Sequence, residues 1–317
     1  MLWIAKQLDA MRYLITGGAG FIGHALSNRL VRDGHTVYVI DNQSSGDRSR
    51  LDSQVIFTHG DINDVPAMWS LLQNVDCVFH LAARVSVPQS VLYPRTYAEV
   101  NVLGTASVME AMRDAGVKRV VHASSGAVYG EQSMGRVTES MTPRPDSPYA
   151  VSKLAAEYYV RNLGNVWGLE SVILRIFNTY GPGQPLPASH WPVVSRFLSQ
   201  AIKGGSLVIF GDGEQIRDYV YIDDVVEALI AASQAPDADQ LTINIGSGTG
   251  TSVKELASLV GKATNKEPHV LMNPRESGGV SQLTADISLA SKVLNYHPSM
   301  TLLDGLSATI SRDPRFQ

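Results

Sequence analysis

Short apolar runs rich in β-branched residues alternate with stretches of helical periodicity along the first half of the chain. The apolar runs predict strands at 12–16, 36–40, 55–58, 76–81, 118–124 and 171–176. The helical stretches between them include 21–32, 66–72, 96–115 and 148–163. Because crossover helices join parallel strands in βαβ units, this alternation predicts an α/β fold built on a doubly wound parallel sheet.

The pattern changes after Tyr180. The segment GPGQPLPASHWP is rich in Pro and Gly, and the later predicted strands, at 207–210, 219–222, 241–245 and 269–272, are short and scattered. This pattern predicts a smaller C-terminal α/β lobe. The predicted division is a first domain at 11–178, with 219–246 returning to it, a second lobe at 179–317, and an N-terminal extension at 1–10. We expect a ligand in the cleft between the two parts.

A glycine-rich turn joins the first predicted strand to the first predicted helix. In YLITGGAGFIG, Gly17 permits a tight turn, Gly20 lets the backbone approach a pyrophosphate, and Gly23 lets helix and strand pack closely. The phosphates would meet the unpaired N–H groups and the positive dipole end of the helix that begins near Phe21. The spacing therefore predicts a dinucleotide site, although glycine triplets also occur in ordinary turns.

An acidic residue after the second predicted strand supports the dinucleotide site. Asp41 lies eighteen residues after the last glycine of the turn, where a carboxylate accepts hydrogen bonds from ribose hydroxyls and repels a 2′-phosphate. NAD is therefore favoured, while Arg48 and Arg50 nearby keep NADP open as the alternative. Asp61 and Ile62, at the close of the third predicted strand, are candidates to contact adenine, and a helix-capping role for Asp61 is equally consistent with its position.

Tyr149 and Lys153 lie four residues apart in a predicted helix, so their side chains share one face. A phenol with a pKa of about 10 is a poor base at neutral pH, but a neighbouring ammonium and an oxidised nicotinamide favour the phenolate and lower its pKa. Ser125 ends the fifth predicted strand at the carboxyl edge of the sheet, where its hydroxyl can relay or polarise a hydrogen bond to Tyr149. A YxxxK pair alone is common on solvated helices, but together with the other two features it predicts Tyr149 as a general base.

An ordered series of motifs runs from Met11 to about residue 310. It comprises TGGAGFIG, DNQSSG, GDI, HLAARVSVPQS, NVLGT, SSGAVYG, YAVSK, RIFNTYGPGQ, GDGEQIRDYVYIDDVVEA, NIGSG and ADISLASKVL. In these motifs the chain resembles the extended short-chain dehydrogenase/reductase superfamily, and more narrowly its NAD-dependent nucleotide-sugar epimerases and dehydratases. The resemblance implies a Rossmann fold, bound NAD, and catalytic roles for Ser125, Tyr149 and Lys153.

The same resemblance assigns further residues to the two ligands. The implied NAD contacts are Gly17, Gly20, Phe21, Ile22, Gly23, Asp41, Asn42, Ser45, Gly46, Asp61, Ile62, Leu81, Ala82, Ala83, Asn101, Tyr149 and Lys153. The implied nucleotide-sugar contacts are Ser86, Val87, Ser125, Tyr149, Asn178, Val193, Phe197, Phe210, Arg217 and Arg275. The two arginines suit the diphosphate because a guanidinium binds phosphate in a bidentate manner.

The residue types at the two positions after Ser125 help to distinguish the different reactions of the family. In the family, 4,6-dehydratases carry an Asp-Glu pair there and UDP-glucuronate decarboxylases carry a Glu, whereas Gly126 and Ala127 carry no proton. The chain therefore resembles the 4-epimerases, in which the tyrosine removes the C4 hydroxyl proton, NAD takes and returns the C4 hydride, and the 4-keto sugar turns in the pocket. Several alternative functions stay open. They are a 4-reductase, a C5 or 3,5-epimerase-like enzyme, a decarboxylase or dehydratase with an unusual acid, and a non-catalytic NAD-binding regulatory module.

Two departures from the family pattern leave the sugar open. The usual Arg-x-Gly-Asp sequence is replaced by RESGG at 275–279. Three residues before Asp286, where relatives have either a bulky tyrosine or a small residue, this chain has Leu283. The UDP-linked glucose/galactose, N-acetylhexosamine and glucuronate/galacturonate pairs are therefore all candidate substrates.

Composition and charge bear on which partners, locations and cofactors we expect for the protein. With 26 Lys and Arg against 30 Asp and Glu, the formal charge is −4, so we expect no sequence-independent nucleic-acid surface. No apolar run approaches the roughly 18 residues that span a bilayer, and the lone Cys77 cannot form an intrachain disulfide, so we expect no membrane association and a cytoplasmic location. The eight histidines lack metal-ligand spacing, so no metal is expected. The family commonly pairs the helices predicted at 96–115 and 148–163 across a two-fold axis, which implies a homodimer.

Overall fold

The structure is a computed structural model, and it describes residues 10–132, 135–186, 192–274 and 280–317. The strands in these ranges are β1 (Arg12–Thr16), β2 (Thr36–Asp41), β3 (Ile56–His59), β4 (Cys77–His80), β5 (Arg119–Ser125), β6 (Arg136–Val137), β7 (Glu170–Ile176), β8 (Asn178–Tyr180), β9 (Leu207–Phe210), β10 (Ile216–Tyr221), β11 (Thr242–Ile245), β12 (Gly250–Ser252), β13 (Val270–Asn273) and β14 (Gln282–Ala285).

The helices surround these strands. In the same ranges they are α1 (Phe21–Arg32), α2 (Val65–Leu71), α3 (Val87–Leu92), α4 (Pro94–Tyr97), α5 (Gly104–Ala115), α6 (Pro148–Trp167), α7 (Val193–Ile202), α8 (Ile222–Gln234), α9 (Val253–Thr264), α10 (Ser288–Leu294) and α11 (Leu302–Arg312). A π-helical turn at Ala98–Leu103 joins α4 to α5, and short 3₁₀ turns lie at Arg48–Arg50, Gly126–Tyr129, Pro236–Ala238 and Pro314–Phe316. None of the helices described here is long and apolar enough to cross a membrane.

The larger sheet is parallel throughout its described strands, in the order β11-β7-β5-β4-β1-β2-β3. This confirms the doubly wound parallel sheet that the sequence predicts. The strand order reverses direction between β1 and β4, and a crevice at such a switch point, at the carboxyl ends of the strands, is where α/β sheets bind ligands. The glycine turn after β1 opens at this point.

Helices cover both faces of the larger sheet. Alternate strand residues point to opposite faces, so Tyr13 and Ile15 pack with α1 and α8 while Leu14 packs with α2 and α5. Both layers are buried and apolar, as a parallel sheet with helices on each side requires. Residues of α8 and β11 also belong to this part of the molecule, since β11 pairs with the outer edge of β7.

A second, mixed sheet combines strands of the C-terminal half with β6 from the first half. Among the described strands its order is β12-β10-β14-β6, with β8 also pairing with β10. Its neighbours α7, α9 and α11 pack around a separate core that includes Phe197, Leu198, Leu256 and Leu306. A parallel β9–β13 pair completes this part of the described chain.

The predicted helix at 96–115 and strand at 219–222 differ from those observed. The predicted 96–115 helix is interrupted by the π-helical turn, where the Asn101 side chain bonds to the backbone of Arg84. The predicted strand at 219–222 begins instead at Ile216, because residues 216–218 pair with the distant strand β12, and Ile222 opens α8.

A third difference concerns the third predicted strand. Observed β3 ends at His59, so Asp61 follows the strand rather than closing it. Local periodicity gives no information on which partner strand extends a pairing or where that pairing stops.

Candidate active site

The glycine turn after β1 is shaped by close backbone contacts. Gly17 has a left-handed backbone with φ of +69°, and a Cβ there would lie 2.7 Å from the Ala82 Cα. A Cβ on Gly23 would lie 2.2 Å from the Gly17 carbonyl oxygen. Gly20 is the N-cap of α1, and no described side chain caps that helix end. The first N–H groups of α1, at Phe21 and Ile22, are therefore presented to an anionic group, as a pyrophosphate site requires.

Asp41 ties the glycine turn to the end of β2. One oxygen of its carboxylate accepts a hydrogen bond from the Ala19 N–H (3.1 Å), and the other accepts one from the Gln43 N–H (2.7 Å). The following segment lies against the same turn, since a Cβ on Gly46 would lie 2.9 Å from Ala19. Asn42 and Ser45 are exposed in this segment. The carboxylate thus stands at the crevice, and the cradle as a whole fits the pyrophosphate and ribose of NAD.

The next predicted cofactor positions divide into exposed and buried ones. The Asp61 carboxylate is exposed and accepts a hydrogen bond from the Asn63 N–H at 2.9 Å. Ile62 is buried beneath Gly104, where a Cβ would approach its Cδ1 to 2.4 Å. Asn101 is buried, and its amide donates to the Arg84 carbonyl (3.0 Å). In this structure Ile62 and Asn101 therefore support the surrounding loops.

His80 fixes the loop that carries Leu81, Ala82 and Ala83. Thr105 donates to the Asn101 carbonyl (2.6 Å), so its oxygen is left to accept from His80 Nε2 (2.9 Å). His80 Nδ1 then accepts from the Thr16 hydroxyl (2.8 Å), whose oxygen also accepts from the Ala82 N–H (3.2 Å). Burial lowers the pKa of His80 to about 3, so the imidazole is neutral and joins β1, α5 and this loop.

Tyr149, Lys153 and Ser125 come together at the carboxyl edge of β5. The Ser125 oxygen accepts a hydrogen bond from the Ala127 N–H (3.1 Å), and the Ser125 hydroxyl lies beside the Tyr149 phenol and lowers its pKa. Lys153 follows Tyr149 by one turn of α6, and burial lowers the pKa of its ammonium to about 8, partly opposed by the Glu157 carboxylate. The arrangement places a phenol, a hydroxyl and an ammonium in one buried corner.

The pKa of Tyr149 is raised in the protein chain by itself. Burial raises the pKa of this phenol, and the neighbouring Ser125 hydroxyl opposes that effect only in part. Desolvation thus disfavours the phenolate more than the protein groups favour it, and the expected lowering of this pKa by an ammonium together with an oxidised nicotinamide stays a prediction. A positive charge added beside the phenol would act in the opposite direction.

The first residue after Ser125 packs closely against a neighbouring aromatic ring. Gly126 is buried, and a Cβ there would lie 3.2 Å from three ring atoms of Phe177. A longer acidic side chain at this position would have to displace the Phe177 ring. The site therefore contains the phenol, hydroxyl and ammonium without a proton carrier at position 126.

The predicted nucleotide-sugar residues lie on several elements. Ser86 caps α3, and Val87 next to it is exposed. Asn178 is exposed at the start of β8 and donates to the Asp218 carbonyl (3.1 Å). Arg217 lies on β10, where burial lowers its pKa and nearby Tyr219, Glu131 and Asp146 oppose that effect.

The other predicted contacts differ in exposure. Val193 and Phe210 are partly exposed, whereas Phe197 is fully buried in the core of the smaller lobe and offers no surface to a ligand here. Leu283 is also buried and packs with Tyr129 and Phe177. Arg275 and the RESGG loop lie outside the described residues.

Asp218 is a structural residue of the site that the sequence analysis did not single out. Its buried carboxylate accepts from the backbone N–H groups of Ser247 (2.7 Å), Gly248 (3.0 Å) and Ala285 (3.1 Å). It therefore joins β10, the NIGSG loop and β14 directly beside Arg217. Its partners are 29 to 67 residues away along the chain, so no local spacing could have identified it.

Comparisons with known proteins agree with this geometry. Residues 13–246 match the sequence model of the NAD dependent epimerase/dehydratase family. A UDP-glucose 4-epimerase of Mycolicibacterium smegmatis is 38% identical over 307 residues, which cover 95% of this chain and 97% of that protein.

Two solved structures extend the comparison to the fold. A Thermotoga maritima UDP-glucose 4-epimerase with UDP-glucose is 36% identical, with a TM-score of 0.90 and coverage of 95% of this chain and 98% of that one. A Bacillus cereus UDP-glucuronic acid 4-epimerase in complex with UDP-glucuronic acid and NAD is 33% identical, with a TM-score of 0.86 and the same coverage. These findings confirm the family resemblance, and the chain belongs to the NAD dependent epimerase/dehydratase family.

Proposed function

We propose that this protein is an NAD-dependent UDP-sugar 4-epimerase. The observation that carries the proposal is the Ser125 hydroxyl beside the Tyr149 phenol, whose pKa it lowers, with Lys153 one turn further along α6 and Gly126 packed against Phe177. This set supports reversible oxidation at one sugar carbon, whereas elimination or decarboxylation needs a further acid or base. The relatives described above, named for 4-epimerisation of UDP-glucose and UDP-glucuronic acid, support the same reaction.

The catalytic roles follow from the positions of the three side chains. Tyr149 takes the proton of the C4 hydroxyl, and Ser125 donates a hydrogen bond that stabilises the phenolate. The Lys153 ammonium supplies the positive charge that the buried phenolate needs. NAD, when bound, would supply the reversible two-electron oxidation at C4, and its positive charge would favour the phenolate of Tyr149. After the 4-keto sugar has turned and C4 has regained its hydride on the opposite face, Tyr149 returns the proton to the C4 oxygen.

We assign the two ligands to the two parts of the molecule. The glycine turn, Asp41 and the loop after β4 hold NAD within residues 11–178, to which 219–246 return. Residues 179–317 and Asn178 hold the nucleotide of the UDP-sugar, whereas Ser86, Val87, Ser125 and Tyr149 contact the sugar from the first part. The contacts to NAD and to the nucleotide sugar that the family resemblance implies are part of this proposal.

The proposal is tested by following the sugar protons by NMR in deuterated water. The full chain is incubated with UDP-glucose, UDP-N-acetylglucosamine, UDP-glucuronate and their galacto partners, without added cofactor and then with added NAD. We expect one pair to reach equilibrium with hydrogen kept at C4 and C5, because the same hydride leaves and returns. Deuterium at C5, loss of the carboxylate or a stable keto product would refute the 4-epimerase assignment, and lack of conversion of every sugar would favour a binding module.

We further propose that the protein is a cytoplasmic homodimer. Apolar side chains are exposed along the helices of the predicted interface, with Leu103 before α5 and Val151, Tyr158 and Val166 on α6. Exposed apolar patches of this kind mark association surfaces. Light scattering at micromolar concentration should give twice the chain mass of 34.3 kDa, and a monomeric mass would contradict the proposal.

A further inference from the structure

A buried ion pair lies one turn beyond Lys153 on α6. The Glu157 carboxylate accepts two hydrogen bonds from Arg175 (2.9 and 2.7 Å) and one from the Ser124 hydroxyl (2.5 Å). Ser124 on β5 and Arg175 on β7 are register partners, so the carboxylate spans two adjacent strands. Glu157 is 1% exposed and Arg175 is 4% exposed. The three hydrogen bonds hold the Glu157 carboxylate in one position.

Glu157 is also an electrostatic neighbour of Lys153. Lys153 is 4% exposed, and its burial disfavours the ammonium, whereas the Glu157 charge favours it. The two residues are four apart on one helix, so their side chains lie on the same face. Burial shields the pair from water, which makes the attraction stronger than on a surface.

The other titratable groups around Lys153 supply no compensating negative charge. His80 on β4 and His122 on β5 stack with ring centroids 5.1 Å apart, and burial lowers the pKa of both imidazoles, so they are neutral. On α6 itself, burial raises the pKa of Tyr149.

The other described elements around Lys153 contribute one charged side chain, the cation Arg175, and no acidic side chain. Arg175 on β7 is paired with Glu157, and Tyr97 on α4 meets the Tyr149 ring edge-on at 6.4 Å. Asn101 in the π-helical turn and Thr105 on α5 do not titrate. Of the described groups that face this corner, Glu157 is thus the one that favours a charged lysine.

We propose that Glu157 is a positioning residue that keeps Lys153 charged, with Arg175 and Ser124 fixing the carboxylate in place. The importance of the Lys153 charge rests on the proposed function, but the charge itself can be measured without turnover. Glu157 is not among the residues assigned to either ligand, and its three hydrogen bonds go to Ser124 and Arg175.

The charge state of Lys153 is measured by lysine-selective ¹³C NMR. The full chain has eight lysines, so a sample labelled at lysine Cε gives few signals, and a Lys153→Met sample identifies the one of interest. The wild-type signal should titrate with a midpoint near pH 8. In Glu157→Gln the midpoint should fall by about one pH unit or more, because an opposite charge at this range shifts a pKa by that amount.

Two further variants separate charge from architecture. Glu157→Gln leaves Arg175 buried without its carboxylate, so Glu157→Gln combined with Arg175→Met removes both charges and restores an uncharged contact. The midpoint should stay low in the double variant if Glu157 acts through its charge. Glu170→Gln is the matched control, since it breaks an Arg–Glu pair (Arg119–Glu170, 2.6 Å) at the other end of the same two strands, and should leave the Lys153 midpoint unchanged.

Activity gives a second readout. If the midpoint falls from about 8 to about 7, the charged fraction of Lys153 falls about threefold at pH 7.5 and about eightfold at pH 8.5. The kcat of Glu157→Gln should follow this trend with KM for the UDP-sugar unchanged, whereas a purely structural defect would lower kcat equally at every pH. A wild-type Lys153 midpoint in either folded variant would overturn the proposal. Failure of the wild-type protein to epimerise any UDP-sugar would refute the proposed function and leave the titration to decide the role of Glu157.

Discussion

The buried His80 predicts a measurable dependence of stability on pH. Its ring joins Thr16 and Thr105 through bonds of 2.8 and 2.9 Å, and it is 1% exposed. Burial lowers the pKa of the folded imidazole to about 3, against 6.5 for an unperturbed histidine. Between these two pH values, His80 therefore carries a proton in the unfolded chain but not in the folded chain. Stability from neutral His80 is complete above pH 6.5 and is lost as the pH falls towards 3.

The expected magnitude follows from that difference. Between pH 6.5 and pH 5, protonation of this one residue in the unfolded state lowers the free energy of unfolding by roughly 2 kcal/mol. His80→Gln does not titrate, and loss of the two hydrogen bonds should lower the free energy of unfolding by about 2 kcal/mol at pH 7. The difference in the free energy of unfolding between wild type and His80→Gln, here called the gap, should therefore decrease to below about 1 kcal/mol at pH 5.

Urea unfolding followed by tryptophan fluorescence at several pH values between 5 and 7 measures this gap. Thr105→Val serves as the control because it removes one bond to His80 and keeps the imidazole, so its gap to the wild type should stay constant across the range. If the His80→Gln gap were also constant, the buried imidazole would be protonated equally in both states and the reasoning would be refuted.

Two further substitutions test the catalytic and cofactor assignments. Tyr149→Phe should lower kcat by about 10²- to 10⁴-fold, as expected for loss of a general base, while isothermal titration should give unchanged dissociation constants for NAD and UDP; a variant with more than a tenth of wild-type activity would contradict the base assignment. Gly23→Ala should weaken NAD binding at least about tenfold and lower the melting temperature, because its Cβ would lie 2.2 Å from the Gly17 carbonyl oxygen. Gly205→Ala, where the nearest atom would be 3.4 Å away, should change neither quantity, and equal behaviour of the two alanine variants would count against the glycine-turn site.

The local elements were largely predictable from the sequence. The first helix has the predicted bounds, Phe21–Arg32, because a glycine turn and a helical period specify its start and its buried face. The placement of Tyr149 and Lys153 on one helix face follows from a spacing of four residues. Gly126 could be recognised as an acid-free position from the residue type alone, since glycine carries no proton.

Several features of the site required the tertiary structure. Asp218, Glu157 and His80 make their decisive contacts with residues on other elements, and periodicity contains no information about those partners. The raised pKa of Tyr149 in the chain without a ligand also depends on the packing around it, which the residue type and the YxxxK spacing do not show.

The sequence by itself determined the order of the βαβ units, the glycine turn, and the identities of the phenol, ammonium and hydroxyl that carry the chemistry. These features depend on side-chain type and on spacings within one or two elements. The tertiary structure alone decided which residues are desolvated, which carboxylates are paired, and where distant strands such as β10 and β12 meet. Burial and electrostatic coupling depend on the neighbours in space, and the fold brings those neighbours together from positions far apart in the chain.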